Sequence, residues 1–457
     1  MSGKNYSRRK FVKQGAMVGL GTAFIAGNAP DLFASSGISD IPAIIGGKPV
    51  RTAGWPVWPQ WNPATDEKML LEVMRSGVWS RKEAVSEFEK KWAEALGAKR
   101  SLAVVNGTNA LIASLVNLGV GGGDEVIIPP YTFIATAAAV LQAGAIPVFA
   151  DVDRETFQID PAKIEGKITS RTKAIIPVHI LGLPADMTRI MEIAKKHGLL
   201  VVEDACQSHL AEINHKKTGT FGDAGCFSFQ TSKNMPIGEG GAIVSDNEKF
   251  MDRCYSYHNY GNPYGTTVGS VGAGTVIKGT KLRMTEYQAA IGLAQLKRLD
   301  GQTTTRNENA AYLKSKIQDI PGIIPYKLNP GVTRAAFHLF PFRYEKEKFS
   351  GLAKEKFVKA LAAEGIDCSG GYTELNKMPF LKDAFQSKNF RKMYSAEMLD
   401  YNAYLEQNQC PENERLCNEE AVWFPQNVLL GTKSDMDEIA VAIEKIHKNA
   451  GEISKKI

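Results

Sequence analysis

From Ser101 onward the chain alternates short apolar runs with stretches of helical period, and no other feature narrows its fold as much. Residues 102–105, 126–128, 147–150, 174–177 and 199–203 read as buried strands, and 109–118, 135–143 and 187–197 between them read as helices. Strands separated by helices of this length require crossover connections, which implies an α/β fold around a mainly parallel sheet covered on both faces. In such sheets ligands bind beyond the carboxyl ends of the strands, and chemistry is to be sought there.

After Lys249 the pattern changes: residues 284–317 read as one long helix with a polar face at 302–309, followed by short strands and a last helix over 435–447. With 457 residues, 44% of them apolar, the chain can fill one large core and a smaller one. The sequence predicts four segments: a signal-like stretch 1–35, an extended stretch 36–65, a large domain 66–300 and a small C-terminal α/β domain 301–457. Within the second, Trp55-Pro56-Val57-Trp58-Pro59-Gln60-Trp61 is too rich in proline for a helix. It reads as a strap across the core, with a lid or subunit contact as the alternative.

The net charge of +6 suggests a nucleic-acid partner only until it is located. Lys4, Arg8, Arg9, Lys10 and Lys13 against Asp31 leave +2 for the rest of the chain, which is no electrostatic footprint for nucleic acid. Ser7 to Lys13 followed by the weakly apolar run Ala16 to Ala29 has the layout of an export signal. Paired Arg8-Arg9 with Phe11 resembles the twin-arginine signal, which implies a periplasmic or otherwise exported protein. The apolar run is too short and Gly-rich for a stable membrane span. The six cysteines form no paired C-x-x-C clusters and no histidine pair has ligand spacing, so no metal is expected. Cys410 and Cys417 are expected as free thiols, a disulfide being the alternative.

Three stretches at strand ends carry chemistry. Glu203-Asp204 closes a buried strand, where a carboxylate needs a cationic or hydrogen-bonding partner. Lys233 lies between the strand Gly225 to Phe229 and the turn Gly238-Glu239-Gly240-Gly241, a setting that lowers a lysine pKa and makes the amine a nucleophile. Gly107-Thr108 opens a helix after a strand, where backbone amides can meet a phosphate, although Thr108 can equally be an ordinary cap.

Taken in order, Gly107-Thr108, Thr132-Phe133, Glu203-Asp204-Ala205 with Gln207, Phe227-Ser228-Phe229, Lys233 before Gly-Glu-Gly-Gly, and Arg283-Met284-Thr285-Glu286 resemble the DegT/StrS-type sugar and cyclitol aminotransferases. The resemblance runs from Ile44 to about Ile446 and implies the pyridoxal-phosphate (PLP)-dependent transferase fold type I. It further implies that Lys233 holds PLP covalently and moves protons, and that Asp204 keeps the pyridine nitrogen protonated. Gln207 would lie near the phenolic oxygen, Phe133 would stack on the ring, and Gly107, Thr108 and Ser228 would hold the phosphate. It also implies a homodimer. Where the family reads Gly-x-Asn-x-Arg-Met, with the Asn reaching a neighbouring subunit's phosphate, this chain has Lys281. Lysine can meet a phosphate with a charge-assisted bond.

The activity so implied moves an amino group from L-glutamine or L-glutamate to a keto-sugar or keto-cyclitol. Phe227-Ser228-Phe229-Gln230 and Glu420-Ala421-Val422-Trp423-Phe424-Pro425-Gln426-Asn427 look more like the cyclitol and aminobenzoate branch than the nucleotide-sugar branch. Trp79, Tyr131, Tyr372 and Trp423 are candidates for the wall against a neutral ring. His179, His209 and His258 read as core or surface residues. One alternative is a PLP-dependent dehydratase or lyase, against which Lys233 stands, because the sugar dehydratases resembling this family carry histidine there. Another is a sugar-binding or sensor protein of the same fold without catalysis.

Overall fold

The computed structural model describes residues 40–269 and 274–456, so the export-signal reading lies outside the described residues. Seven strands form the main sheet: β1 (Arg100–Val104), β2 (Glu125–Ile128), β3 (Ile146–Phe149), β4 (Thr172–Ile175), β5 (Leu200–Asp204), β6 (Ala224–Ser228) and β7 (Gly241–Ser245). Their order is β1-β7-β6-β5-β4-β2-β3. All neighbours from β6 to β3 are parallel, and β7 alone runs against both β1 and β6. Each expected strand is present within a residue or two of its bounds.

Helices cover the sheet: α1 (Pro63–Ser76), α2 (Glu83–Leu96), α3 (Gly107–Asn117), α4 (Ala135–Ala143), α5 (Met187–His197) and α6 (Glu248–His258). Their ends follow from sequence. Asp186 caps α5 through Arg189 N at 3.1 Å, and Gly198 ends that helix in the left-handed conformation. The aromatic rings Phe88, Trp92, Phe227 and Phe229 meet edge to face between α2 and β6, sealing one face.

A 32-residue helix, α7 (Glu286–Ile317), leads out of this layer and packs on α1, α2 and α8 (Lys433–Lys448). It begins two residues later than its periodicity suggests. Arg283 and Thr285 are held extended, bridged to Val104 and Ser80, and Gln288 Oε1 takes the Thr285 amide at 3.0 Å to start the helix. A second antiparallel sheet, β8 (Ile323–Pro325), β9 (Leu339–Tyr344) and β10 (Ala421–Pro425), follows. Cys410 and Cys417 are free thiols with separate partners, Asn408 O and Asn413 Oδ1. Among the described residues no helix is long and apolar enough to cross a membrane.

The Trp55 to Trp61 segment is a strap. Trp55 Nε1 donates to Gly365 O and Trp58 Nε1 to Thr231 O, both at 3.1 Å. Arg51 stacks on Trp55, while Arg306 of α7 lies beneath Trp58.

Candidate active site

The carboxyl ends of β1, β2, β4, β5 and β6 and the entry to β7 open on one cavity of about 440 Å³, lined among others by Thr108, Phe133, Asp204, Gln207, Ser228 and Lys233. Seven of the eight residues expected in the site, Gly107 with these six, therefore meet in one place.

Alternation along β5 separates the two carboxylates. Glu203 turns away from the cavity and is fully satisfied: its oxygens accept from the amides of Gly219, Phe221 and Gly222 and from His179 Nε2 at 3.0 Å. His179 Nδ1 accepts from Ala185 N at 3.0 Å, so Nε2 carries the hydrogen and the imidazole is a buried neutral strut. Asp204 faces the cavity, where Oδ2 accepts from Thr136 Oγ1 at 2.8 Å. Thr136 in turn meets Thr132 Oγ1 at 3.0 Å.

Lys233 lines the same cavity from a turn closed by Thr231 N on Gly238 O at 2.9 Å. Burial lowers its pKa, and its Nζ has no hydrogen bond or ion pair among the described residues. The turn returns into β7 at Gly241, where a Cβ would stand 2.4 Å from the backbone of Asn106. Only glycine lets the lysine turn lie this close to the start of α3.

At that start the helix is capped by Asn106, whose Oδ1 accepts from Asn109 N at 2.8 Å, and not by Thr108. The Thr108 hydroxyl and the amides of Gly107 and Thr108 are left without partners among the described residues, at the positive end of a helix. A Cβ on Gly107 would meet Cys206 Sγ at 2.7 Å and Ser228 Cβ at 2.8 Å. Ser228 completes this cradle from the end of β6. Phe133 stands at the mouth with 56% of its surface exposed.

Gln207 accepts from Leu181 N through Oε1 at 2.7 Å and donates through Nε2 to Tyr372 Oη at 2.9 Å. Its amide retains a second hydrogen. Of the expected wall, Tyr372 lines the cavity and Trp423 packs behind it at 4.9 Å. Tyr131 is fully buried behind Tyr372, and Trp79 lies outside the cavity lining. Lys281 is exposed and also outside it, bridged through its backbone to Asn259.

Sequence reasoning missed Thr136 and His338. Thr136 had a local signal, since it follows Thr132 by one helical turn. His338 had none, because it enters from a loop a hundred residues beyond the lysine, where its Nδ1 meets Asn234 Oδ1 at 3.3 Å. His209 is a core residue: its Nε2 donates to Ser228 O at 2.9 Å, and burial lowers its pKa to about 3. His258 is likewise buried and held neutral by burial.

Comparison with known proteins gives this arrangement its context. Residues 62–406 match the DegT/DnrJ/EryC1/StrS aminotransferase family. The chain is 33% identical over 425 residues to the L-glutamine:2-deoxy-scyllo-inosose aminotransferase of Streptoalloteichus tenebrarius, covering 90% of this chain and 98% of that one. It is 38% identical over 326 residues to the spore coat polysaccharide biosynthesis protein SpsC of Bacillus subtilis, covering 70% and 83%. The solved structure of 3-amino-5-hydroxybenzoic acid synthase superposes with a TM-score of 0.75 at 30% identity, covering 87% of this chain and 99% of that chain. With the lysine turn, the strand-end aspartate and the helix cradle in one cavity and a family match over most of its length, the chain belongs to the DegT/DnrJ/EryC1/StrS family and is a PLP-dependent aminotransferase.

Proposed function

We propose that the enzyme moves an amino group from L-glutamine or L-glutamate to a ketone on a polyhydroxylated ring, a cyclitol in preference to a nucleotide-linked sugar. The observation that carries this reading is that Lys233, unpaired among the described residues, lines one cavity with Asp204 and the start of α3. The residues present fit PLP: a buried carboxylate for the ring nitrogen, a glycine-tight cradle of the Thr108 and Ser228 hydroxyls and of amides without partners among the described residues for the phosphate, and an exposed aromatic ring for the pyridine face. When bound, PLP supplies a carbonyl that joins amines covalently and a protonated ring that draws electrons from the adjacent carbon.

Lys233 would hold it, with Asp204 at the ring nitrogen, Gln207 near the phenolic oxygen through its spare amide hydrogen, and Gly107, Thr108 and Ser228 at the phosphate. Burial keeps a larger share of Lys233 uncharged at neutral pH than a solvated lysine would have, which suits Nζ to take the proton from the amino donor's α-carbon and later return one to the product. Asp204, fixed by Thr136, which Thr132 backs in turn, would keep its carboxylate in place for the ring nitrogen.

The acceptor reading draws on the relative that is named for 2-deoxy-scyllo-inosose and on Tyr372 with Trp423 as an aromatic wall. A homodimer is part of the proposal, with Lys281 reaching a neighbouring subunit's phosphate. Met69, Leu71, Met74, Val78 and Trp79 are apolar residues exposed on and after α1, which suits such a contact. So is twin-arginine export of the folded, loaded protein; replacing Arg8 and Arg9 by Lys should then hold it in the cytoplasm, and periplasmic delivery by that variant would refute this part.

The central test is the absorption spectrum of the purified protein. L-glutamine should remove the PLP band with release of the keto acid, and scyllo-inosose should restore it faster than a nucleotide-linked keto-sugar. Lys233→Ala that still gives a borohydride-fixable cofactor, or a band unmoved by both donors, would overturn the reading.

A further inference from the structure

Asn234, the neighbour of Lys233, sets the tautomer of His338. Its Nδ2 donates to Ala336 O at 2.7 Å, so Oδ1 is the atom that faces His338 Nδ1 at 3.3 Å. A carboxamide oxygen only accepts, and Nδ1 must therefore carry the ring hydrogen. Nε2 is left with a lone pair and no partner among the described residues, on a ring that lines the cavity. Burial first, then the positive charges of Lys233 and Arg306, hold the imidazole well below its ordinary pKa, so the lone pair stays bare through the neutral range.

The backbone that carries the ring is also held in place. Ala336 N donates to Gly182 O at 2.8 Å, and Gly182 packs so closely that a Cβ there would stand 2.5 Å from His338 N. On the same cavity Tyr372 Oη is occupied as an acceptor by Gln207 Nε2, which leaves its own hydrogen to donate. Beside the groups that would hold the cofactor, the cavity thus offers His338 Nε2 as an acceptor and the Tyr372 hydroxyl as a donor. A secondary alcohol satisfies both kinds of group; a carboxylate satisfies only the donor.

We propose that His338 Nε2 accepts a hydrogen bond from a ring hydroxyl flanking the carbonyl carbon of the acceptor, and so sets specificity in the second half of the reaction. This rests on the ring-ketone reading above. The hydroxyl next to the carbonyl is chosen because Asn234 joins His338 to the residue beside the reacting amine. The competing role, accepting from the side-chain amide of L-glutamine, belongs to the first half of the reaction and separates in the test.

The two half-reactions are followed by absorbance in the PLP-loaded enzyme. The probes are L-glutamine for the first, and scyllo-inosose and 2-deoxy-scyllo-inosose, which lacks one flanking hydroxyl, for the second. Wild type should favour scyllo-inosose by about fivefold to tenfold, the worth of one hydrogen bond. H338F should bring that ratio to near unity while leaving the glutamine half-reaction within about threefold, and H338Q, whose Oε1 can accept, should recover part of it. A ratio that is unity in wild type, or unchanged in H338F, overturns the proposal. So does an equal loss in the glutamine half-reaction, which would assign the lone pair to the donor amide. A wild type that turns over neither ketone overturns the ring-ketone reading itself. Where H338F fails to load PLP, H338Q and H338N carry the comparison.

Discussion

Trp58 Nε1 donates to the carbonyl of Thr231 at 3.1 Å, which ties the N-terminal strap to the turn that carries Lys233. The same turn is closed internally by Thr231 N on Gly238 O. Trp58→Phe keeps a ring over Arg306 and deletes only the donor, at a cost of about 0.5–1.5 kcal/mol in the order of the turn. We expect kcat to fall about threefold to tenfold with PLP loading unchanged. A kcat equal to wild type would show that the internal pairing alone holds the turn.

Thr136 gives Asp204 Oδ2 its one hydrogen bond among the described residues, at 2.8 Å. Thr136→Val preserves shape and removes a bond to a charged group, worth about 1.5–3 kcal/mol. PLP affinity measured by absorbance titration should fall about tenfold or more, whereas Thr132→Val, one step removed, should cost less. Equal losses in the two variants would mean that the hydroxyls act as a unit.

Burial lowers the pKa of Lys233, so in the cofactor-free protein the folded state disfavours its charged form. Between the lowered folded value and the ordinary value near 10.5, the unfolded chain binds more protons, and stability rises with pH. Cofactor-free Lys233→Met should therefore melt above wild type at pH 7, with the gap closing as pH approaches about 10.5. A gap that is constant with pH would place its origin in packing instead of charge.

Much of this site was legible because its parts sit at strand ends, where short apolar runs mark the strands and the residue after each run points to the ligand side. Lys233, Asp204, Gln207, Gly107, Thr108, Phe133 and Ser228 all come from such places. What failed to show depends on distance or on which of two neighbours turns inward. The family resemblance picks Asp204 over Glu203, but the reason lies in the strand pleat and in the backbone amides of residues 219–222 that take Glu203, which no local pattern shows. Asn106 and Thr108 are both good caps, and Asn106 wins because its side chain reaches Asn109 N. Tyr131 and Tyr372 are both aromatic, yet Tyr131 is buried behind the other. His338 is brought to Lys233 by tertiary packing against Gly182, which leaves no local pattern.

His209 is buried against Trp92, Phe227 and Phe229, and burial holds its pKa near 3 against an ordinary 6.5. Between those values the unfolded chain takes up a proton that the folded chain refuses, so stability falls as pH drops from about 6.5 towards 3. At pH 4.5 the penalty is roughly 2–3 kcal/mol. His209→Asn, which keeps a donor for Ser228 O, should lose less stability between pH 6.5 and 4.5 in urea titrations, although it starts lower at pH 7. Parallel curves for the two proteins would rule out His209 as the source of acid sensitivity.

Among the described residues Arg306 is the largest charged side chain that is fully buried, and its hydrogen-bond partner is neutral. Nε and Nη2 both donate to Gln426 Oε1, at 3.0 and 2.5 Å, Nη1 has no partner among the described residues, and burial lowers the pKa to about 9. A buried cation held by one amide oxygen gains little beyond what it loses in solvation, but each partner alone is worse. Gln426→Leu leaves the guanidinium without its acceptor and should cost about 3–5 kcal/mol. Arg306→Met leaves only a neutral oxygen unpaired and should cost about 1–3 kcal/mol. The double variant Arg306→Met with Gln426→Leu removes charge and acceptor together, and should be more stable than Gln426→Leu alone. Chemical denaturation of the four PLP-loaded proteins closes this cycle. Additive losses would show that Arg306 does not depend on Gln426, and that the ring of Trp58 above it supplies the compensation instead.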